Sequence, residues 1–417
     1  MDSPSAPQIE ARLERAVAGG VVLGRDAGGR VVLAEGGLPG ERVTVALRDD
    51  RPRMAAGEVV EVLQTSPDRV EPPCAEVVRG CGGCDLQHAS PGLQRAMKVE
   101  VVTDALRRLG GVRDVPVRVV EELDGEGYRT TLRLVVDEDG RLGFRRRRSH
   151  DPLAVARCLV AHPLLQPVLA EGRFDDAGEV LLRASVATGD VLAVADPTAS
   201  GAVVPEGVRA VGQDELGSGT RVWLHEDVDG HRLRVSARSF FQSGPSTAAA
   251  LGRAVARAVH GSDPGAHRFD PATDRFVDLY GGIGLFTVLL GARRSEVVER
   301  SASSVADARA NTAALGAKVV KVAVERWHPS PADVVVADPS RDGLGTAGAA
   351  AVAATGAARV ALVSCDPAAL GRDVALLAGH GYACRGVELV DMFPHTHHVE
   401  VVTALEKTAA PEGVAGR

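Results

Sequence analysis

No apolar run in the 417 residues reaches the roughly 18 that a membrane-spanning helix needs. The N-terminus, Met1-Asp2-Ser3-Pro4 and onward, lacks the basic-then-apolar pattern of a secretory signal. A cytoplasmic protein with no membrane partner is the expectation. Cysteine is scarce, with six in the chain, and in that compartment they are expected to be metal-bound, catalytic or buried rather than disulfide-paired. An excess of positive charge is also missing. The net charge of −7 argues against a generic nucleic-acid binder, because phosphate binding needs cations. No Gly-Lys-Ser/Thr phosphate loop occurs, which excludes a Walker-type nucleoside triphosphatase. There is no internal repeat, and no low-complexity tract beyond Ala-rich helical segments.

What is present is a soluble composition, 45% hydrophobic and 25% charged. The length implies two or three domains. Residues 20–24, 30–33, 42–47 and 58–63 read as short strands separated by Gly-rich turns, which points to a small barrel over 1–66. A Pro-containing linker follows, then three closely spaced cysteines. An amphipathic helix pattern over 92–109 ends at Gly110-Gly111 and is a candidate to pack on the last domain. The rest of 67–237 is β-rich and irregular. From 238 to 417, helical stretches alternate with short apolar strands at 276–279, 296–299, 334–337, 360–363 and 399–405. That alternation implies a parallel, doubly wound, Rossmann-like sheet. The whole is a multidomain α/β protein.

Asp278-Leu279-Tyr280-Gly281-Gly282-Ile283-Gly284 joins a strand to a helix start through a glycine turn, where backbone can approach a ligand. The next strand ends in Glu299, a carboxylate able to accept bonds from ribose hydroxyls. Alone, this pair fits many α/β proteins. Four further segments narrow the reading: Ser239-Phe240-Phe241-Gln242, Asp338-Pro339-Ser340-Arg341-Asp342-Gly343-Leu344, Ser364-Cys365-Asp366-Pro367, and Asp391-Met392-Phe393-Pro394-His395-Thr396-His397-His398-Val399-Glu400. In this order they resemble the motifs of the RNA uracil-5-methyltransferase family, and the N-terminal β segment looks like that family's TRAM domain, an OB-like barrel.

The resemblance implies a methyltransferase domain using S-adenosylmethionine, acting on tRNA or rRNA, with Cys365 as nucleophile and Glu400 as the base that removes the carbon-5 proton. It places Gln242, Tyr280, Glu299 and Asp338 around the cofactor. Asp366 stands where the family usually has Asn, and Ser340 where it usually has Pro. The chemistry matches the residue types. A thiolate adding at carbon 6 of uracil makes carbon 5 nucleophilic, and a carboxylate then takes the carbon-5 proton. Cys384 has no such context and reads as structural, and His395, His397 and His398 read as packing or RNA contacts.

Cys74, Cys81 and Cys84 have C-x6-C-G-G-C spacing, and Cys158 follows 74 residues later. Four thiolates are the ligand set of either zinc or a 4Fe–4S cluster. One close pair with two distant cysteines suits a cubane better than a zinc ribbon, and the resemblance also implies iron and sulfur. Arg145 to Arg148 form an unbroken basic run, read either as a solvated loop or as an RNA contact. A monomer is expected. Two other readings compete: an amino methyltransferase, which needs no cysteine nucleophile, and an iron–sulfur RNA-binding or RNA-folding protein without catalysis.

Overall fold

The computed structural model describes residues 6–261 and 268–408. Five strands close the N-terminal barrel in the order Gln8–Val17, Val21–Asp26, Val31–Glu35, Met54–Gln64, Arg42–Arg51. The first strand alternates Ala11 and Leu13 inward with Arg12 and Glu14 outward, the period of a half-buried strand. Leu13, Val22, Val32, Val43 and Val45 fill the barrel. Its open side is covered by Leu86, Ala89 and Met97 from the segment that follows, so barrel and helix share one core.

That helix runs Pro91–Arg108, with Ser90 Oγ accepting from the Leu93 amide and Pro91 at the first helical position. One flank faces the barrel, where its Glu100 carboxylate accepts from the Ala16 amide at 3.0 Å. The other flank packs on the helix Pro367–Gly379. Gly371 makes that approach possible: a Cβ there would lie 2.7 Å from the Ala105 carbonyl oxygen.

A six-stranded sheet follows, in the order Val208–Gly212, Val191–Pro197, Ala177–Ala184, Thr131–Val136, Leu142–Arg145, Pro152–Ala154. Cys81 and Cys158 sit in its core beside Tyr128 and Leu132. The arginine run leaves the strand Leu142–Arg145 and pairs with the cysteine loop. Gly82 N–H donates to the Arg145 carbonyl at 3.0 Å, and Arg147 N–H donates to that of Gly80 at 2.9 Å. Arg145 pairs with Glu179 at 2.8 Å and Arg147 with Glu58 at 3.7 Å, and Arg148 contacts Glu35. The run therefore ties the cysteine loop to the barrel. It also lines, with Gly19, Gly20 and Asp85, a cavity of about 260 Å³.

The last sheet has eight strands, in the order Lys318–Lys321, Arg294–Glu299, Arg275–Leu279, Val334–Ala337, Arg359–Ser364, Val401–Lys407, Tyr382–Val390, Val117–Val120. The first five are mutually parallel, as expected. The sheet departs from the expectation at its far side. Val401–Lys407 runs antiparallel to both of its neighbours. A parallel return needs a crossover such as a helix, and the connecting segment 391–400 contains none. The edge strand Val117–Val120, parallel to Tyr382–Val390, comes from the chain just after the shared helix. Packing that helix on Pro367–Gly379 delivers the chain to this edge.

Lys98, on the shared helix, is 3% exposed and donates to Asp391 Oδ1 and to the Phe393 carbonyl, both at 2.9 Å. Burial lowers its pKa, with Asp391 opposing. Removing one member of a buried pair strands the other charge, at a cost of roughly 3–5 kcal/mol. Lys98→Ala is therefore expected to lower the denaturation midpoint sharply, and Lys98→Met with Asp391→Leu to recover most of the loss. An unchanged midpoint in the single variant would contradict the pairing.

Candidate active site

Strand register brings the motif residues together. Leu279 pairs with Val298 on one side and Ala337 on the other. Tyr280, Glu299 and Asp338 are therefore each one residue beyond the same row, at the carboxyl ends where ligands enter α/β sheets. Ser364 pairs antiparallel with Val401. Cys365 follows one and Glu400 precedes the other, so the two stand opposite each other. Gln242 arrives separately, from the loop before the helix Pro245–His260. It is buried.

Local bonds explain why these positions hold. Asp307 accepts from Ser236 Oγ, Ser239 Oγ and Arg234 Nε at 2.6–2.7 Å, and Arg183 donates to the Ser239 carbonyl at 3.0 Å, fixing the loop that carries Gln242. Glu299 accepts from the Gly282 amide at 3.1 Å and the Ser301 amide at 2.6 Å. Tyr280 takes φ of 57°, uncommon for a side-chain-bearing residue, and its hydroxyl lies 3.4 Å from Glu325. Asp366 caps the helix Pro367–Gly379 by accepting from the Ala369 amide at 2.7 Å. An Asn there could accept the same bond, so the cap explains why either residue serves. Ser340 lies in a turn closed by Gly343 N–H to its carbonyl at 2.8 Å. Asp373 then accepts from the Leu344 and Gly345 amides.

The electrostatics are dominated by carboxylates. Burial pushes the Cys365 thiol up to about 12, and Glu400 and Asp338 push the same way, with Arg341 opposing. Burial raises Glu400 well above the usual carboxylate range, helped by Asp338. Asp338 is raised by burial and by Asp278. Asp278 is raised to about 7 by burial, against two hydrogen bonds from Thr287. Its other oxygen, Oδ1, is buried without a partner. A line of acids thus runs from Glu299 past Asp278 and Asp338 to Glu400 and Cys365. Asp278 and Arg341 were not singled out from sequence. A carboxylate inside the apolar strand Arg275–Leu279 was the available signal for Asp278.

Cys365 also opens on a second space. A cavity of about 160 Å³ is lined by Cys365, Arg341, Lys98, His397, His398 and the barrel turn Gly19-Gly20. His397 Nδ1 contacts Asp85 Oδ2, and Asp85 Oδ1 accepts the His397 amide at 2.9 Å. Cys384 lies away from these residues, half-buried beside Gly386.

All six cysteines are unpaired. Cys74, Cys81, Cys84 and Cys158 line one small cavity with Gln87, Arg129 and Phe144. Burial pushes the Cys84 thiol up to about 12. Gln87 Nε2 is buried there without a partner. Among the described residues, no three His, Cys, Asp or Glu side chains are grouped so as to hold one metal ion.

No family model matches the sequence. The chain is 34% identical to a protein from Streptomyces avermitilis described as an uncharacterized RNA methyltransferase, over 94% of this chain and 96% of that one. It is 33% identical to the 23S rRNA (uracil(1939)-C(5))-methyltransferase RlmD of Chromohalobacter salexigens, over 95% of this chain and 88% of that one. The crystal structure of Pyrococcus abyssi tRNA (uracil-54, C5)-methyltransferase with S-adenosyl-L-homocysteine superposes with a TM-score of 0.71 at 22% identity, covering 95% of this chain and 99% of that one, and shares the fold. A methyltransferase sheet joined to a closed barrel defines the class. The chain belongs to the RNA uracil-5-methyltransferase family.

Asp278 gives a test by pH. Its folded-state pKa lies above that of the unfolded chain, so its stabilising contribution is complete below the unfolded value and is lost as pH rises through about 7. Without cofactor, the melting temperature should fall between about pH 4 and 7, and Asp278→Asn should flatten that fall. An identical pH slope in the variant would place the loss elsewhere.

Proposed function

We propose that the protein transfers a methyl group from S-adenosylmethionine to carbon 5 of a uridine in structured RNA, rRNA or tRNA, through a covalent adduct between Cys365 and carbon 6. The observation that carries this reading is the register that sets Cys365 opposite Glu400. The names of the relatives support the substrate class: one acts on uracil in 23S rRNA, and the structural neighbour on uracil in tRNA.

When bound, S-adenosylmethionine supplies an electrophilic methyl on a cationic sulfonium. Gln242, Tyr280, Glu299 and Asp338 would hold it, with Glu299 accepting from the ribose hydroxyls. The buried acids favour a cation at the strand ends. Cys365, once its thiol proton is lost, adds to carbon 6 and sends the ring double-bond pair toward the carbonyl; carbon 5 would then take the methyl as the methyl–sulfur bond breaks, leaving S-adenosylhomocysteine. Glu400 then accepts the carbon-5 proton. The C–H electron pair restores the ring double bond, and Cys365 leaves with the C–S pair.

For the cysteine cavity we propose a 4Fe–4S cluster held by Cys74, Cys81, Cys84 and Cys158. That all four cysteines line one cavity supports a shared ligand, and their spacing in the sequence favours a cluster over zinc. The cluster would supply cross-linking of distant segments, and the methyl transfer needs no electron from it.

Cys365→Ala is expected to abolish methylation while cofactor affinity stays near wild type. Glu400→Gln should instead form the methylated adduct and release it slowly, giving a protein–RNA band on denaturing gels. Cys365→Ala turnover within about tenfold of wild type would remove the thiol from the role.

Protein purified without oxygen is expected to be brown, with about four irons per chain. Cys81→Ser should lose iron and weaken RNA binding, because the cysteine loop orders the arginine run. Arg146→Ala should keep its iron and lower the salt slope of RNA binding by ~0.7–0.9. Zinc in place of iron would reject the cluster type.

A further inference from the structure

The irregular segment 391–400 carries Glu400 at its end. Hydrogen bonds tie residues 393–397 to the rest of the chain, and they go to residues 85–128. The amides of Asp85 and Leu86 donate to the His395 carbonyl at 3.1 and 2.9 Å. Gln94 Oε1 accepts the His395 amide at 2.8 Å. Tyr128 Oη donates to the Pro394 carbonyl at 3.3 Å. Asp85 also holds both the amide and the ring of His397.

Two of these partners adjoin the cysteine cavity. Asp85 follows Cys84 in sequence. Tyr128 Oη accepts from Arg129 Nε at 3.3 Å, and Arg129 lines the cavity with the four thiols. The barrel presses on the same point: a Cβ on Gly20 would lie 2.7 Å from Asp85 Oδ2 and 3.1 Å from His397 Nδ1. His395 itself takes φ of 67°. A non-glycine residue keeps that conformation only where its surroundings over-determine it. The shape of the segment therefore depends on bonds made by other parts of the chain.

We propose that Asp85 and Tyr128 are positioning residues through which the cysteine cavity sets the Glu400 carboxylate for proton removal, a proposal that rests on the uridine carbon-5 reading above. The consequence is confined to one step. Thiolate addition and methyl transfer need Cys365 and the cofactor pocket, at the sheet ends; the Glu400 backbone is held there too, its carbonyl accepting the Val390 amide at 2.8 Å, so the segment 393–397 bears on the aim of its carboxylate. Removal of the carbon-5 proton needs Glu400 in place. Misplacing a base by about 1 Å slows its step by up to roughly a hundredfold. Loosening the segment should therefore stall the enzyme as the methylated Cys365–carbon 6 adduct. A general loss of fold or of RNA binding would give no adduct at all.

The test uses the full chain purified without oxygen, a transcribed RNA substrate and labelled S-adenosylmethionine. Asp85→Ala and Tyr128→Phe should keep wild-type iron content and cofactor affinity. Their turnover should fall roughly tenfold to a hundredfold, and a methylated protein–RNA band should accumulate on denaturing gels. Amides of residues 393–400 should exchange hydrogen faster than in the wild type. Cys84→Ser should lose iron and show the same faster exchange there. If Asp85→Ala fails to fold, Tyr128→Phe, which removes a single hydroxyl, decides the matter. Wild-type turnover and exchange in the foldable variants would overturn the proposal, as would lost turnover with no adduct and unchanged exchange. Absence of any Cys365-linked RNA even in Glu400→Gln would instead overturn the uridine reading itself.

Discussion

The strand Val401–Lys407 runs against both of its neighbours, and the active site depends on that reversal. In the parallel part of the sheet, every strand presents its carboxyl end to the site. A reversed strand presents its amino end, so a residue just before it meets a residue just after the strand beside it. Register then fixes which two meet, because a one-residue slip would turn every side chain to the opposite face. Val360 and Leu405 pack into the core on one face of the sheet and Val363 and Val402 into that on the other, so a slip would exchange two packed faces. Cys365 and Glu400, the proposed nucleophile and base, are thus brought together by the packing of valines and leucines.

The same geometry crowds negative charge. Asp278 is fully buried, Glu400 is nearly so, and both have raised pKa values because water is excluded around them. Such acids cost stability in the empty site. A sulfonium cation would relieve the crowding on binding, so the arrangement favours a cationic ligand over its neutral demethylated product. The thiol of Cys365 shares this environment, and Arg341 is the cation that opposes its rise.

Much of the fold was legible because period and punctuation agree with the structure. The helix over 92–109 is observed at Pro91–Arg108, and the apolar strand at 334–337 at Val334–Ala337. The strands missed have physical reasons. Gln8–Val17 carries charge at alternate positions and reads as polar. Lys318–Lys321 is a short edge strand with lysine at both ends. Val117–Val120 joins a sheet whose other strands begin more than 150 residues later, a pairing no local pattern encodes. At the site, Cys365, Asp338, Glu299 and Glu400 were visible as motif residues, whereas the partners that hold them were not. Asp85, Lys98 and Tyr128 act across hundreds of residues of sequence. Their roles appear only when the segment 391–400 is seen resting on them.

The central claim is that Cys365 adds to carbon 6 of a uridine whose carbon 5 becomes methylated. Substrate RNA containing 5-fluorouridine tests it most directly, because fluorine at carbon 5 cannot be taken up by a base, the role proposed for Glu400, as a proton is, and the adduct cannot resolve. With S-adenosylmethionine present, mass spectrometry of the digested protein should find a methylated fluorouridine nucleotide attached to the peptide containing Cys365. An unmodified Cys365 peptide after full exposure to RNA and cofactor, or a nucleotide attached to another residue, would contradict the account.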